Sequence, residues 1–286
     1  MTNYQLNNFA IDDFIINALK EDFYWGDITT EAICASIENP CFEVFLTTRQ
    51  DGILCGCDVF KRVFELLANN KVTVEFYYND GDSIKAKDKI AKIKGDAGFI
   101  LSGERLALNF VQKMSGIATY SRLFQNKVDK YNVKVVDTRK NTPNFRLFEK
   151  YSAKVGTNHL HRFNLSDCVM LKDNHIALYG GSITKAVTKV RESLSHAHRI
   201  EVECDTIAQV QEALDNRVDI IMLDNMTFEE MKEACRIINK KAIVEASGCV
   251  NLDNIEEIAK TGVDIISTSA IVTKAPTLDL AFDYCS

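Results

Sequence analysis

The sequence predicts an α/β protein: a parallel α/β barrel of six or seven strands with a second, smaller α+β sandwich domain. Three observations predict it. After residue 130, short β-branched runs alternate with amphipathic segments of helical length. Those runs are apolar on both faces, as parallel strands buried under crossover helices are. Before residue 100 the rhythm is different, with short β-rich runs broken by "DG", "NDGD" and "GDAG" turn signals.

In chain order, residues 8–20 ("NFAIDDFIINALK") set Phe9, Ile11, Phe14, Ile15 and Leu19 on one helical stripe. "FEVFLTT", "VTVEFYY" and "KIAKIKG" read as strands, and residues 102–127 as a long helical stretch interrupted near Ser115-Gly116. Six strands follow: "VKVVDTRK", "CVMLKDNH", "RIEVECD", "VDIIMLDN", "AIVEASG" and "VDIISTSA". Thr206, Thr227 and the Ser182 region supply helix starts and Gly262 a helix end, while Gly180-Gly181 reads as a turn. The expected boundaries are 1–117 for the small domain, joined by the tail 275–286, and 118–274 for the barrel. A doubly wound open sheet is the fallback.

A chain of 286 residues with 46% apolar and 26% charged residues buries an ample core. A net charge of −6 and a pI near 5.5 argue against nucleic-acid or membrane-surface partners. No apolar run reaches membrane-spanning length, and the first residues lack the basic region of a signal peptide. The nine cysteines are scattered, without a C-x-x-C pair, and Cys168, Cys204 and Cys249 sit inside apolar runs. They read as reduced core thiols of a cytoplasmic protein. His196 and His198 read as surface residues of a loop.

In parallel α/β barrels the working residues gather at the C-terminal ends of the strands. Those ends carry Asp137 to Lys140, Lys172 to His175, Glu201 to Asp205, Asp224-Asn225, Glu245 to Gly248, and Ser267 to Ser269. From Arg139 to Lys172 seven Lys/Arg stand against two acids, Glu149 and Asp167, inside an acidic chain. Arg146, Lys150 and Lys154 read as the solvated face of a helix. Arg139, Lys140, Arg162 and Lys172 flank apolar strands and call for an anion, and four cations suit a ligand with more than one carboxylate or phosphate. Glu203 and Asp224 end neighbouring strands, an arrangement that holds Mg²⁺ or stabilises positive charge, with an ion pair to Lys140 or Lys172 as the plainer reading. Glu201 shares the face of Glu203. The "EASG" and "STS" segments offer small residues and backbone N–H groups where such barrels take a phosphate.

These residues together resemble a family. "DTRK-TP--R--EKYS", "H-HR-NLSD---LKDNH", "EVE-D", "LDN", "EASG" and "AP-LD", with "KEDFYWGDITT" and "SGERLALNFVQKMSGIAT" earlier, are similar to the quinolinate phosphoribosyltransferases, the carboxylating nicotinate-nucleotide pyrophosphorylases. The resemblance runs from about residue 8 to 283, in one order. It implies phosphoribosyl transfer from phosphoribosyl pyrophosphate to quinolinate with decarboxylation, a step of NAD biosynthesis, using Mg²⁺. It implies that Thr138, Arg139, His161, Arg162 and Lys172 line the quinolinate pocket, with Lys140 between the substrates. Glu203 and Asp224 would address the ribose hydroxyls and Mg²⁺, directly or indirectly. Ser247, Gly248 and the backbone of Thr268, Ser269 and Ala270 would hold the 5′-phosphate. It further implies a homodimer or dimer-based hexamer in which Arg105 reaches the other subunit's pocket.

The sequence departs from the family pattern at Thr157 and Asn158, where glycines are usual, at Leu160, at Ser269 in place of a phosphate-loop glycine, and at Thr273 in place of a histidine. Three other readings stand beside this one. They are a molybdenum-transport-associated paralogue of the same fold, a Schiff-base aldolase using Lys172, and a non-catalytic anion-binding barrel.

Overall fold

The computed structural model describes residues 6–284; Cys285 lies outside them. The chain divides into two compact units, Met1–Tyr120 with Ala275–Ser286, and Ser121–Lys274.

The first unit contains α1 (Asn8–Asp22), α2 (Ile28–Cys34), β1 (Cys41–Thr48), β2 (Gly52–Ile53), α3 (Cys57–Ala68), β3 (Val72–Phe76), β4 (Ser83–Ile84), β5 (Lys89–Asp96) and the start of α4 (Ala97–Val128). Asn7 caps α1 by accepting the Phe9 N–H at 2.9 Å. Ile11, Ile15 and Leu19 are buried, whereas Phe9 is 92% exposed. Phe9 therefore leaves the expected stripe: two positions along a helix is about 200° around it, which turns Phe9 away from Ile11. The sheet has the antiparallel order β12-β1-β5-β3, with β12 (Leu280–Tyr284) returning from the end of the chain. Helix α3 was not anticipated from the sequence. It covers the sheet with Phe60 and Phe64, whose rings meet Phe282.

The expected interruption near Ser115-Gly116 is absent, and α4 runs unbroken for 32 residues. Those two residues serve packing instead. Ser115 Oγ accepts the Cys55 N–H at 2.9 Å and donates to the Cys55 carbonyl at 3.1 Å. A Cβ on Gly116 would lie 2.0 Å from the Pro276 carbonyl oxygen, so only glycine admits that strand of backbone.

The second unit holds β6 (Lys134–Val136), α5 (Arg146–Thr157), β7 (Val169–Leu171), α6 (Asp173–Ala177), α7 (Ile183–Ser193), β8 (Ile200–Cys204), α8 (Ile207–Asp215), β9 (Ile220–Asp224), α9 (Phe228–Ile238), β10 (Ile243–Ser247), α10 (Ile255–Ala259), β11 (Ile265–Ser267) and α11 (Ala270–Thr273). Ser182, Thr206 and Thr227 cap α7, α8 and α9 as expected. All six strands are parallel, in the order β6-β11-β10-β9-β8-β7. The order follows the chain round without reversing, which is a barrel with one unpaired seam and not a doubly wound sheet with a switch point. The seam lies between β6 and β7, where residues 158–168 run without regular structure except turns. Gly180 and Gly181 both adopt left-handed φ in a turn.

The cysteine reading needs correction. Cys204 is buried, but Cys168 is half-buried and Cys249 is exposed, with φ +49° in the loop after β10. An apolar neighbourhood in sequence did not bring Cys249 into the core because the strand has already ended at Ser247.

Candidate active site

A cavity of about 340 Å³ lies over the C-terminal ends of the barrel strands. It gathers Thr138, Arg139 and Lys140 from the end of β6, His161 and Arg162 from the seam, Lys172 after β7, Glu203 on β8, Asp224 on β9 and Ser247 on β10. Lys172 and Arg162 have partners within the protein, and Arg139 Nε does not. Lys172 is ion-paired with Glu203. Arg162 donates to the Cys168 carbonyl at 2.8 Å. Arg139 has a buried Nε with no partner. Burial, then the charges of Arg162 and Arg146, lower the titration of Arg139 from its ordinary value. A guanidinium nitrogen out of water and unpaired, among like charges, is the electrostatic signature of a site that receives an anion. Ser267 Oγ, also buried and unpartnered, lines the same cavity.

Arg146 and Lys150 correct the sequence reading. Arg146 is half-buried, with a buried unpartnered Nε. Lys150 is not solvated at all: it is 1% exposed, and its Nζ lies 2.6 Å from Asp137 Oδ2, itself fully buried. Burial raises the Asp137 titration and lowers that of Lys150, both toward neutrality, while each opposes this in its partner. The short contact, with Asp137 Oδ1 also accepting the His161 N–H at 3.1 Å, favours the ionised pair.

His161 is the hub of a second buried group. Its Nε2 lies 3.2 Å from Glu245 Oε1 and 3.5 Å from Glu201 Oε1, inside the barrel. Both glutamates, expected near the strand tips, are interior residues at 1–2% exposure. Burial disfavours charge on the imidazole, yet the two carboxylates win and push its titration up to about 10. The Arg162 N–H is 2.7 Å from Nδ1, which needs a lone pair there. A ring that accepts this bond is neutral and carries its proton on Nε2, so the backbone contact opposes the pull of the carboxylates; burial raises Glu201. His161, expected to contact the substrate, lines the cavity with Nδ1 accepting the Arg162 N–H and Nε2 turned toward the two glutamates.

An adjoining cavity of about 540 Å³ shares Thr138, Lys140, Asp224, Ser247 and Ser267 and extends over Gly248 and residues 268–270. Gly248 has φ +96°, and a Cβ there would lie 2.3 Å from Asn225 Oδ1. The absent side chain leaves a cradle of backbone. Of the backbone N–H groups at 268–270, Thr268 already donates to the Val136 carbonyl and Ala270 to Thr268 Oγ1. Lys274, which the sequence reading did not single out, lines this cavity.

Burial, then the charges of Glu203 and Asp205, raise the Asp224 titration, and Asn225 Nδ2 donates to its Oδ2 at 2.7 Å. Crowded carboxylate oxygens of this kind fit a hard divalent cation that keeps most of its water. Arg105 is exposed on α4, belongs to the first unit and is not among the residues lining these cavities.

The departures have local explanations. Asn158 takes the left-handed C-cap of α5 at φ +66°, a conformation asparagine tolerates nearly as glycine does. Thr157 is buried, and its hydroxyl donates to the Ala153 and His159 carbonyls. Ser269 has φ −74° and ψ −18°, which needs no glycine.

The quinolinate phosphoribosyl transferase N-terminal domain matches residues 27–115, and its C-terminal domain matches residues 117–283. A probable nicotinate-nucleotide pyrophosphorylase [carboxylating] of Synechocystis is 40% identical over 274 residues, covering 95% of this chain and 91% of that protein. A quinolinate phosphoribosyltransferase [decarboxylating] of Nicotiana tabacum is 35% identical, covering 92% of this chain and 79% of its own length. Among solved structures, NadC from Streptococcus pyogenes superposes with a TM-score of 0.93 at 38% identity, covering 99% of this chain and all of that one. With both domains matched in order over residues 27–115 and 117–283, the chain belongs to the quinolinate phosphoribosyl transferase family.

Proposed function

We propose that the chain transfers the phosphoribosyl group of phosphoribosyl pyrophosphate to quinolinate and decarboxylates the product, giving nicotinate mononucleotide, pyrophosphate and CO₂. The observation that carries this reading is the cationic cavity, with Arg139 Nε buried and unpaired beside Arg162 and Lys172. A pyridine with two adjacent carboxylates satisfies more than one such cation.

The pyridine nitrogen attacks the ribose carbon as its bond to pyrophosphate breaks, and positive charge spreads over the ribose ring. Asp224, which lines both cavities, and Glu203, which lines the first, stabilise that charge. The C2–carboxylate bond then breaks, its electron pair stays on C2 beside the alkylated nitrogen, and one proton is taken up there. Lys140 lies between the two substrates, and the Gly248 cradle with Ser247 takes the 5′-phosphate. Mg²⁺ would be held by Asp224 and Glu203, directly or through water, and would neutralise the leaving pyrophosphate. Lys172 works as an ion-paired cation rather than as the unpartnered amine that a Schiff-base mechanism needs. Arg105 completes the pocket of the partner subunit in a homodimer or dimer-based hexamer, and the enzyme works in the cytoplasm. Among the described residues no helix is long and apolar enough to cross a membrane.

The test compares acceptors. Quinolinate supports Mg²⁺-dependent formation of nicotinate mononucleotide, and nicotinate, with one carboxylate, is a poor substrate. Equal turnover of nicotinate contradicts the reading.

A further inference from the structure

We propose that Glu245 is a positioning residue for quinolinate binding: through the Nε2–H of His161 it fixes the seam segment so that Arg162 meets the substrate carboxylate. The claim rests on the proposed function for its substrate and on geometry for its mechanism. Residues 159–163 run between β6 and β7 with no ladder partner of their own. An irregular segment of this kind is held by side chains or not at all.

Here the holding groups follow one another, beginning with two buried carboxylate oxygens, Glu245 Oε1 and Glu201 Oε1, that have no hydrogen-bond partner and face His161 Nε2 electrostatically. Glu245 on β10 lies 3.2 Å from His161 Nε2, with Glu201 on β8 at 3.5 Å on the other side. His161 Nδ1 accepts the N–H of Arg162 at 2.7 Å, which sets the Arg162 backbone. The His161 N–H goes to Asp137 and its carbonyl faces Lys150 Nζ at 3.3 Å, so the segment is tied from its other edge. The Arg162 guanidinium then reaches the Cys168 carbonyl and the cavity. Glu245 itself is absent from the residues lining that cavity, so its influence on the ligand passes through His161.

A metal ion is the obvious rival, because one atom each of His161, Glu201 and Glu245 lies within 4.8 Å of the others. The hydrogen bond received by Nδ1 argues against it, since a neutral imidazole that accepts at Nδ1 carries its proton on Nε2 and has no lone pair there for a metal.

The substitution is Glu245→Gln, which keeps shape and removes the carboxylate. Quinolinate binding, measured by calorimetry on the whole protein, weakens on the order of tenfold, less than the hundredfold that a misplacement of about 1 Å can produce. KM for phosphoribosyl pyrophosphate and kcat at saturation stay within about twofold. In a cycle with Arg162→Lys the two losses are less than additive, because Glu245 acts through Arg162. Nitrogen NMR of His161 reports the tautomer on the free protein: Nδ1 unprotonated and Nε2 protonated in the wild type, shifting toward a mixture in Glu245→Gln. If Glu245→Gln does not fold, Glu245→Asp replaces it, since the shorter side chain keeps the charge but draws it back from His161 Nε2 and is expected to lower quinolinate affinity in the same direction.

Unchanged quinolinate affinity in a folded variant, or full additivity with Arg162→Lys, overturns the proposal. So does stoichiometric Zn²⁺ or Mn²⁺ binding that Glu245→Gln abolishes. A wild-type protein that binds no quinolinate overturns the functional reading instead, and the histidine tautomer then still decides whether Glu245 sets His161.

Discussion

Lys150→Met removes one partner of an ion pair that the surrounding protein has no other way to neutralise. Lys150 and Asp137 are 1% and 0% exposed and 2.6 Å apart. Breaking a buried pair by deleting one charge typically costs ~3–5 kcal/mol, because the other charge stays behind unpaired. Burial already raises the Asp137 titration, so in the variant Asp137 takes up a proton and limits the loss. That places the expected destabilisation near the lower bound, about 3 kcal/mol at neutral pH, against a total of about 5–15 kcal/mol for a typical domain. Adding Asp137→Asn removes the stranded charge and leaves an oxygen for the His161 N–H, so the double variant recovers to within about 1 kcal/mol of wild type. Urea unfolding followed by circular dichroism measures both, with the slope checked for constancy. A loss within about 0.5 kcal/mol, as for a lysine on a solvated helix face, refutes the buried pair. Asp137→Asn adding to the loss instead of offsetting it refutes the charge argument.

Lys172→Ala and Arg162→Ala each remove a cation from the anion cavity; steady-state turnover falls with a loss of ~2–5 kcal/mol in transition-state stabilisation while the circular dichroism is unchanged. Activity within twofold of wild type for a folded variant removes that residue from the site. Arg105→Ala and Lys172→Ala proteins, each nearly inactive, are dissociated together and reassociated; if Arg105 serves the partner's pocket, random pairing restores about a quarter of wild-type sites. Activity that stays at the parental level after confirmed exchange places Arg105 within its own chain's site.

The barrel was legible because its strands carry local signals. Six β-branched runs, with Ser182, Thr206 and Thr227 at the helix starts, are read within a few residues of each other. Helix α3 was not, because its N-terminal N–H groups are capped from a distance: Asp80 Oδ1 accepts from Gly56 and Cys57 at 2.9 and 3.0 Å. The Ser115-Gly116 pair looks like a helix breaker only until the Pro276 backbone is seen against it. At the site, Arg139, Arg162 and Lys172 stood out as cations beside apolar strands, and the structure brings them to one cavity. Lys150 was misread because helical spacing next to Arg146 and Lys154 says nothing of a buried aspartate at the end of β6. His161 lines the cavity, but the surroundings of its ring depend on Glu201 and Glu245, two strands apart in the sheet and 44 residues apart in the chain.

Quinolinate carrying a labelled carboxyl carbon at C2 follows both halves of the reaction at once. With phosphoribosyl pyrophosphate and Mg²⁺ present, labelled CO₂ is released in a one-to-one ratio with nicotinate mononucleotide, and omitting phosphoribosyl pyrophosphate abolishes the release. Release of labelled CO₂ without phosphoribosyl pyrophosphate, or no release with it present, contradicts the coupling of transfer to decarboxylation in this cationic cavity.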